Sequence, residues 1–205
     1  LATEEDHLLR QFILRTRVIL GYMKEGKVYS YTFEEKGNML LEAIHLTIPD
    51  FDEEEIYKNL YTVEEIKVMN LIALNYSDKG QNRKAIDIYY QLLKYMKGHI
   101  MSLSEANRLI ALICYNCSRS LYFEKRYEEC IEIANVGWEV SIRERYSGQL
   151  GGILSVLGSA YYEKGKVKDS KRCFYQAYYM YMAMQDKSNI KLAAKNLKDF
   201  FDIEV

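Results

Sequence analysis

The residues of this sequence that could do chemistry are three histidines, four cysteines and a scatter of paired carboxylates. Cys114 and Cys117 form a C-x-x-C, a spacing that can bind zinc or cycle between dithiol and disulfide. A zinc site needs a second ligand pair, and none follows. Cys130 and Cys173 stand apart, and His7, His45 and His99 are far from one another in sequence. The C-x-x-C lies inside LIALICYNCSRSL, an apolar helical run in which free cysteines pack as small hydrophobes. Glu53-Glu54 and Glu128-Glu129 fall at charged helix starts, where solvated carboxylates are expected. There is no Gly-rich phosphate loop, no H-E-x-x-H and no G-x-S-x-G. These residues predict no catalytic constellation, no metal site and no cofactor, so a protein that is not an enzyme.

The remaining polar candidates, Asn, Arg, Ser and Tyr, depend on the elements that carry them. The chain has 205 residues, 49% hydrophobic and 28% charged, as in a globular protein. A chain of this length buries roughly 70% of its extended surface, enough for an ordinary core. Its single proline, Pro49, favours long uninterrupted helices. Its 19 tyrosines suit helix interfaces that are apolar on one side and wet on the other. A net charge of −1 provides no overall basic field for nucleic acid. No apolar run reaches the ~18 residues of a membrane span. No signal peptide is visible, and the cysteines form no disulfide framework, so a cytoplasmic location is expected. The first residue is Leu, which suggests a fragment or a processed product.

Helical stripes and breaks divide the chain into hairpins over about 3–47, 63–97, 102–144 and 147–184, followed by a cap over 188–202. Thr3 is the expected cap of the first helix, which runs to about 24 and stops at Gly26; its partner covers about 28–47. TIPDFDEEE reads as an extended connector, with a turn at Pro49-Asp50 and Asp52 capping a short helix through Leu60. A domain boundary there is the alternative. The next helices are 63–79 and 82–97, then Leu103 to Glu124 and 127–144. The last, NIKLAAKNLKDFF, has a polar face suited to an end cap.

The clearest hairpin is LGSAYYEKGKVKDSKRCFYQA, from Leu157 to Ala177. Gly158 and Ser170 let two backbones approach, Tyr161 and Phe174 fill the space beside them, and Gly165 breaks the pattern. At these positions the stretch resembles the tetratricopeptide repeat (TPR), marked by L-G-x-x-Y on the first helix and a small residue, an aromatic and Ala on the second. Ala85, Cys130 and Ser170 align at intervals of 45 and 40 residues, longer than the standard 34. The turns Tyr22–Gly26, Tyr76–Gly80 and Tyr161–Gly165 share Y-x-x-x-G, whereas the third unit has Leu121 and Lys125 there. The resemblance implies an all-α fold: one domain built as a right-handed superhelix of stacked helix-turn-helix hairpins, a TPR-like α-solenoid with a C-terminal capping helix.

In such an array the first helices line a concave groove. The register presents Lys67, Asn70, Leu74 and Ser77 from the second unit, Leu112, Tyr115, Arg119 and Tyr122 from the third, and Gly152, Ser155, Ser159 and Tyr162 from the fourth. The first unit presents Thr16, Leu20 and Met23. Asn70 can pair in both senses with a peptide amide, Arg119 suits a carboxylate, and Tyr115, Tyr122 and Tyr162 can pack side chains. An extended peptide is the expected ligand. The plain alternatives are a water-filled groove, or one filled by the chain's own terminal helix.

The runs LLEAIHLTIPDF and EEIKVMNLIALNYSDKGQNRKAIDIYYQLL look like the C-terminal half of bacterial transcriptional regulators, nearest to the peptide-pheromone sensors of the RNPP type. That resemblance implies a homodimer that binds a short signalling peptide in its groove and moves DNA-binding heads. The heads would be carried by a helix-turn-helix domain absent from this chain. The family's groove asparagines map onto Asn70, with Asn75 and Asn116 as secondary positions. A scaffold or adaptor with no signalling ligand is the competing class. A carboxylate-clamp co-chaperone would need more Lys, Arg and Asn in the groove than Lys67, Asn70 and Arg119. A phosphotransfer-interfering TPR protein would need a three-helix bundle for which one hairpin leaves no room.

Overall fold

The computed structural model describes residues 3–22, 30–99 and 104–205. Among these residues every regular element is a helix: α1 (Glu4–Tyr22), α2 (Phe33–His45), α3 (Val63–Asp78), α4 (Asn82–His99), α5 (Ser104–Phe123), α6 (Tyr127–Arg143), α7 (Leu150–Glu163), α8 (Val167–Ala183) and α9 (Lys187–Phe201), plus a 3-10 turn at Ile56–Lys58. The chain forms two compact units, Leu1–His99 and Ile100–Val205.

Caps fix the starts. The Thr3 hydroxyl accepts from the Asp6 amide at 3.2 Å, as expected. Thr32 and Thr62 each form a capping box with a glutamate three residues on, Glu35 and Glu65, which satisfies amide donors at both ends of the motif. The Thr32 box starts α2 at Phe33, not near residue 28. Gly26 and Met23 lie outside the described residues, as does Leu103. The connector contains the expected turn, closed by the Phe51 amide donating to the Ile48 carbonyl at 3.1 Å. Asp52 caps no helix. Its carboxylate accepts from the Glu54 amide at 2.8 Å, two residues on, while the 3-10 turn begins at Glu55 without a side-chain cap. An Asp bonded to its own local backbone is no longer placed to cap a helix further on.

In the first unit, α1 packs on α2, α2 on α3 and α3 on α4. Val18, Leu40, Ile44, Ile66, Met69, Ile86, Tyr89 and Leu92 are buried there. The connector belongs to this unit. Gln91 of α4 accepts from the Ile56 amide and donates to the Glu53 carbonyl, and the Tyr95 hydroxyl accepts from the Tyr61 amide at 2.7 Å.

In the second unit, α5 pairs with α6 and α7 with α8, the two hairpins meet through α5, α6 and α7, and α9 lies on α8. The backbone approach expected at Gly158 is present: Ser170 Oγ donates to the Gly158 carbonyl at 2.7 Å, and the Phe174 ring lies where a Gly158 Cβ would point. Gly137 plays the same part for α5 and α6, since a Cβ there would sit 2.8 Å from Cys114 Cβ. Ala134, Ile153, Leu154, Leu157, Cys173 and Ala177 make the core, flanked by Tyr161, Trp138 and Met180. The four cysteines are free and buried. Burial pushes the Cys114 and Cys130 thiols up to about 12 and Cys173 to about 11, so the C-x-x-C is packing rather than a poised thiolate.

Candidate binding site

Helices α5, α7 and α9 of the second unit line an open cavity of about 180 Å³. From α5 it takes Tyr115, Arg119, Tyr122 and Phe123, and from α7 Gly152, Ser155, Val156 and Ser159. Tyr181 of α8 and Asn189, Leu192 and Asn196 of α9 complete the lining. The spacing on α5 and α7 puts these side chains on one stripe of each helix.

Glycines make room for the walls. A Cβ at Gly152 would lie 2.7 Å from the Tyr115 ring, and one at Gly151 would lie 2.6 Å from the Tyr181 ring. The Gly151-Gly152 pair therefore lets two tyrosines of the lining stand against α7. Ser155 Oγ donates to the Gly151 carbonyl and Ser159 Oγ to the Ser155 carbonyl, the i−4 back-bond of helical serines. Ser155 also hydrogen-bonds the Tyr181 hydroxyl. Asn189 donates its side-chain amide to Asp186 at 2.7 Å as part of the α9 cap. Burial raises the Tyr181 phenol to about 12 and pushes Tyr122 upward too, so both stay neutral donors near pH 7. The Arg119 guanidinium lies 5.7 Å over the Tyr115 ring.

Of the residues expected to line a groove, Tyr115, Arg119, Tyr122, Ser155 and Ser159, with Gly152, come together here. Tyr162 does not join them. Its ring is edge-on to Phe200 at 4.8 Å and to Phe201 at 5.8 Å, so it packs on α9. Leu112 is outside the lining, and Asn116 is buried in the helix packing at 5% exposure.

The first unit holds the other candidates on α3. Lys67 donates to Glu64 at 2.6 Å, and Glu64 also pairs with Arg15 of α1 at 3.1 Å. Asn70 is 2% exposed, and Leu74 is half-buried. Asn75 is committed: its amide donates to the Phe33 carbonyl at the start of α2.

The contribution of Asn189, Leu192 and Asn196 was not assigned from sequence. Their spacing, three and then four residues, does place them on one face of α9. Nothing local, however, says which way that face points. Among the described residues no group of three or more His, Cys, Asp or Glu could hold a metal, and no helix is long and apolar enough to cross a membrane.

A model of the RNPP family C-terminal domain matches residues 2–187. Among solved structures, PlcR of Bacillus thuringiensis in its apo form is similar at a TM-score of 0.59 and 18% identity, over 91% of this chain and 72% of that one. PlcR in complex with the peptide PapR7 and DNA is similar at 0.57 and 18%, over 91% and 69%. A kinesin light chain protein with TPR-like repeats from Podosopora anserina is similar at 0.53 and 11%, over 89% and 90%. No curated protein matches.

Proposed function

The chain belongs to the RNPP family, and from that premise we propose that it is the peptide-sensing domain of a bacterial transcriptional regulator. The observation that carries the reading is the α5–α7–α9 cavity, which mixes aromatic walls, serine acceptors and one guanidinium. Such a lining offers a peptide both side-chain contact and backbone hydrogen bonds. The PlcR structure solved with PapR7 and DNA supports it by analogy of fold. Lys67, Asn70 and Leu74 of α3, and Asn116 and Tyr162 of the second unit, are candidate peptide contacts on the grounds of the sequence register alone.

On this reading the domain is regulatory, works in the cytoplasm as a homodimer, and reaches DNA through a separate domain. The direct test is a thermal-shift screen of the 205-residue chain against short synthetic peptides encoded near its gene. One of them should stabilise the chain in proportion to the logarithm of peptide excess, by about 2.7 kcal/mol at a hundredfold excess over Kd. A flat response to every peptide would leave the adaptor class standing instead. Light scattering of the purified chain tests the dimer.

A further inference from the structure

We infer that the α5–α7–α9 cavity receives a carboxylate-bearing part of the ligand, and that Arg119 is the partner of that carboxylate. The inference rests on the peptide reading and adds the chemistry of what enters.

Arg119 carries the one formal charge among the lining residues. Among the described residues its guanidinium meets the Tyr115 ring and no carboxylate. By contrast, Arg126 pairs with Glu129 at 2.6 Å, and Lys164 pairs with Glu128. Arg119 is half-buried, and its neighbours are rings, hydroxyls and amides. A guanidinium held in such partly desolvated surroundings gains more from an anion than it would in water, and its planar fork fits a carboxylate in two parallel bonds.

The Ser155 and Ser159 protons are used on the α7 backbone and one Asn189 side-chain N–H on Asp186. Ser159 therefore keeps an acceptor lone pair for a ligand N–H group, and the formal positive charge that would hold an anion is at Arg119. Size sets the remainder. A cavity of about 180 Å³ compares with the ~150 Å³ hole that holds a benzene. It is large enough for one side chain, and the exposed Phe123 and Leu192 leave its mouth open. Phe123, Val156 and Leu192 make its apolar part, and Leu192 is 52% exposed at present.

The carboxylate could belong to the C-terminus of a peptide or to an Asp or Glu side chain. Pooled random heptapeptides separate the two. One pool has free C-termini, one is C-terminally amidated, and each is made with and without Asp and Glu. Retention on the full chain is read by size exclusion and mass spectrometry. The chain should retain acid-bearing peptides at least tenfold better than the amidated pool lacking Asp and Glu. The pool that keeps the signal identifies the source of the carboxylate. Arg119→Gln should abolish that preference and Arg119→Lys should keep much of it. If Arg119→Gln loses its helical melting transition, Leu192→Glu decides: an exposed position on α9 then supplies its own carboxylate and should compete with acidic peptides. Equal retention of carboxylate-free peptides by the unaltered chain, or an acid preference that survives Arg119→Gln in folded protein, overturns the Arg119 assignment while the peptide reading stands. Retention of no pool overturns both.

Discussion

At the scale of single residues, small side chains decide how closely the helices approach. Gly137 is the sharpest case, because an added Cβ would lie 2.8 Å from Cys114 Cβ and 3.1 Å from Ile153 Cδ1. Both neighbours are fully buried and cannot swing away. Gly137→Ala gains about 1 kcal/mol of helix propensity but loses about 1–3 kcal/mol to overpacking, so the net expectation is destabilisation. Gly98 is the control. It is exposed with nothing within 4 Å of its missing Cβ. Gly98→Ala should leave stability unchanged or raise it by up to ~1 kcal/mol. Urea midpoints of the two variants should therefore move in opposite directions, and a parallel shift would refute the packing argument. The same logic explains the glycine at 152, a groove position that the register of α7 assigns. A glycine on a helical stripe otherwise made of Ser and Tyr signals that another group stands on it, here the Tyr115 ring.

At the scale of elements, the α3–α4, α5–α6 and α7–α8 hairpins share one turn. The Gln81 amide donates to the Tyr76 carbonyl and the Gly80 amide to Ser77; Lys166 and Gly165 repeat this on Tyr161 and Tyr162. These are Schellman caps, which need a left-handed residue at the turn. Gly80 and Gly165 supply it at φ 79° and 71°. Residues 121–126 depart from Y-x-x-x-G in sequence but not in backbone. Arg126 donates to Leu121 and Lys125 to Tyr122, with Lys125 at φ 59°. A side chain held there costs about 1–2 kcal/mol, less what glycine would add to the entropy of the unfolded chain. Lys125→Gly is therefore expected to stabilise the second unit by about 0.5–1 kcal/mol, measured by chemical denaturation. A loss of stability would show that the Lys125 side chain contributes something its exposed position does not suggest.

At the scale of the whole molecule, acid should unfold the chain through its caps. The Glu35 carboxyl is held below its ordinary value first by the Thr32 amide, Asp186 by the Asn189 amide, and Glu128 by the Lys164 ammonium. Each folded-state value is depressed, so each contribution is complete above the unfolded carboxylate range of about 4. It is lost as pH falls through the lower folded value. The urea midpoint should be flat from about pH 7 to 5 and fall below about 4. Asp186→Asn keeps a capping oxygen without a titrating group, and its acid slope should be shallower; an unchanged slope would remove Asp186 from the account. The sequence by itself determined the helices, most of their ends, the hairpin pairing and which stripes of α5 and α7 carry the polar residues. Those features rest on spacings of three to five residues and on turn chemistry, all of it local. It missed the Thr32 start of α2 because the stripe of apolar residues does not mark a cap. Only the tertiary structure decided that α9 is a wall of the cavity. That placement depends on Phe200 stacking on Phe174 at 5.0 Å and on buried Ala193 and Leu197. The same packing takes Tyr162 out of the lining. Contacts between residues 26 positions apart, such as Phe174 and Phe200, are set by how surfaces fill space, and no repeat pattern encodes them.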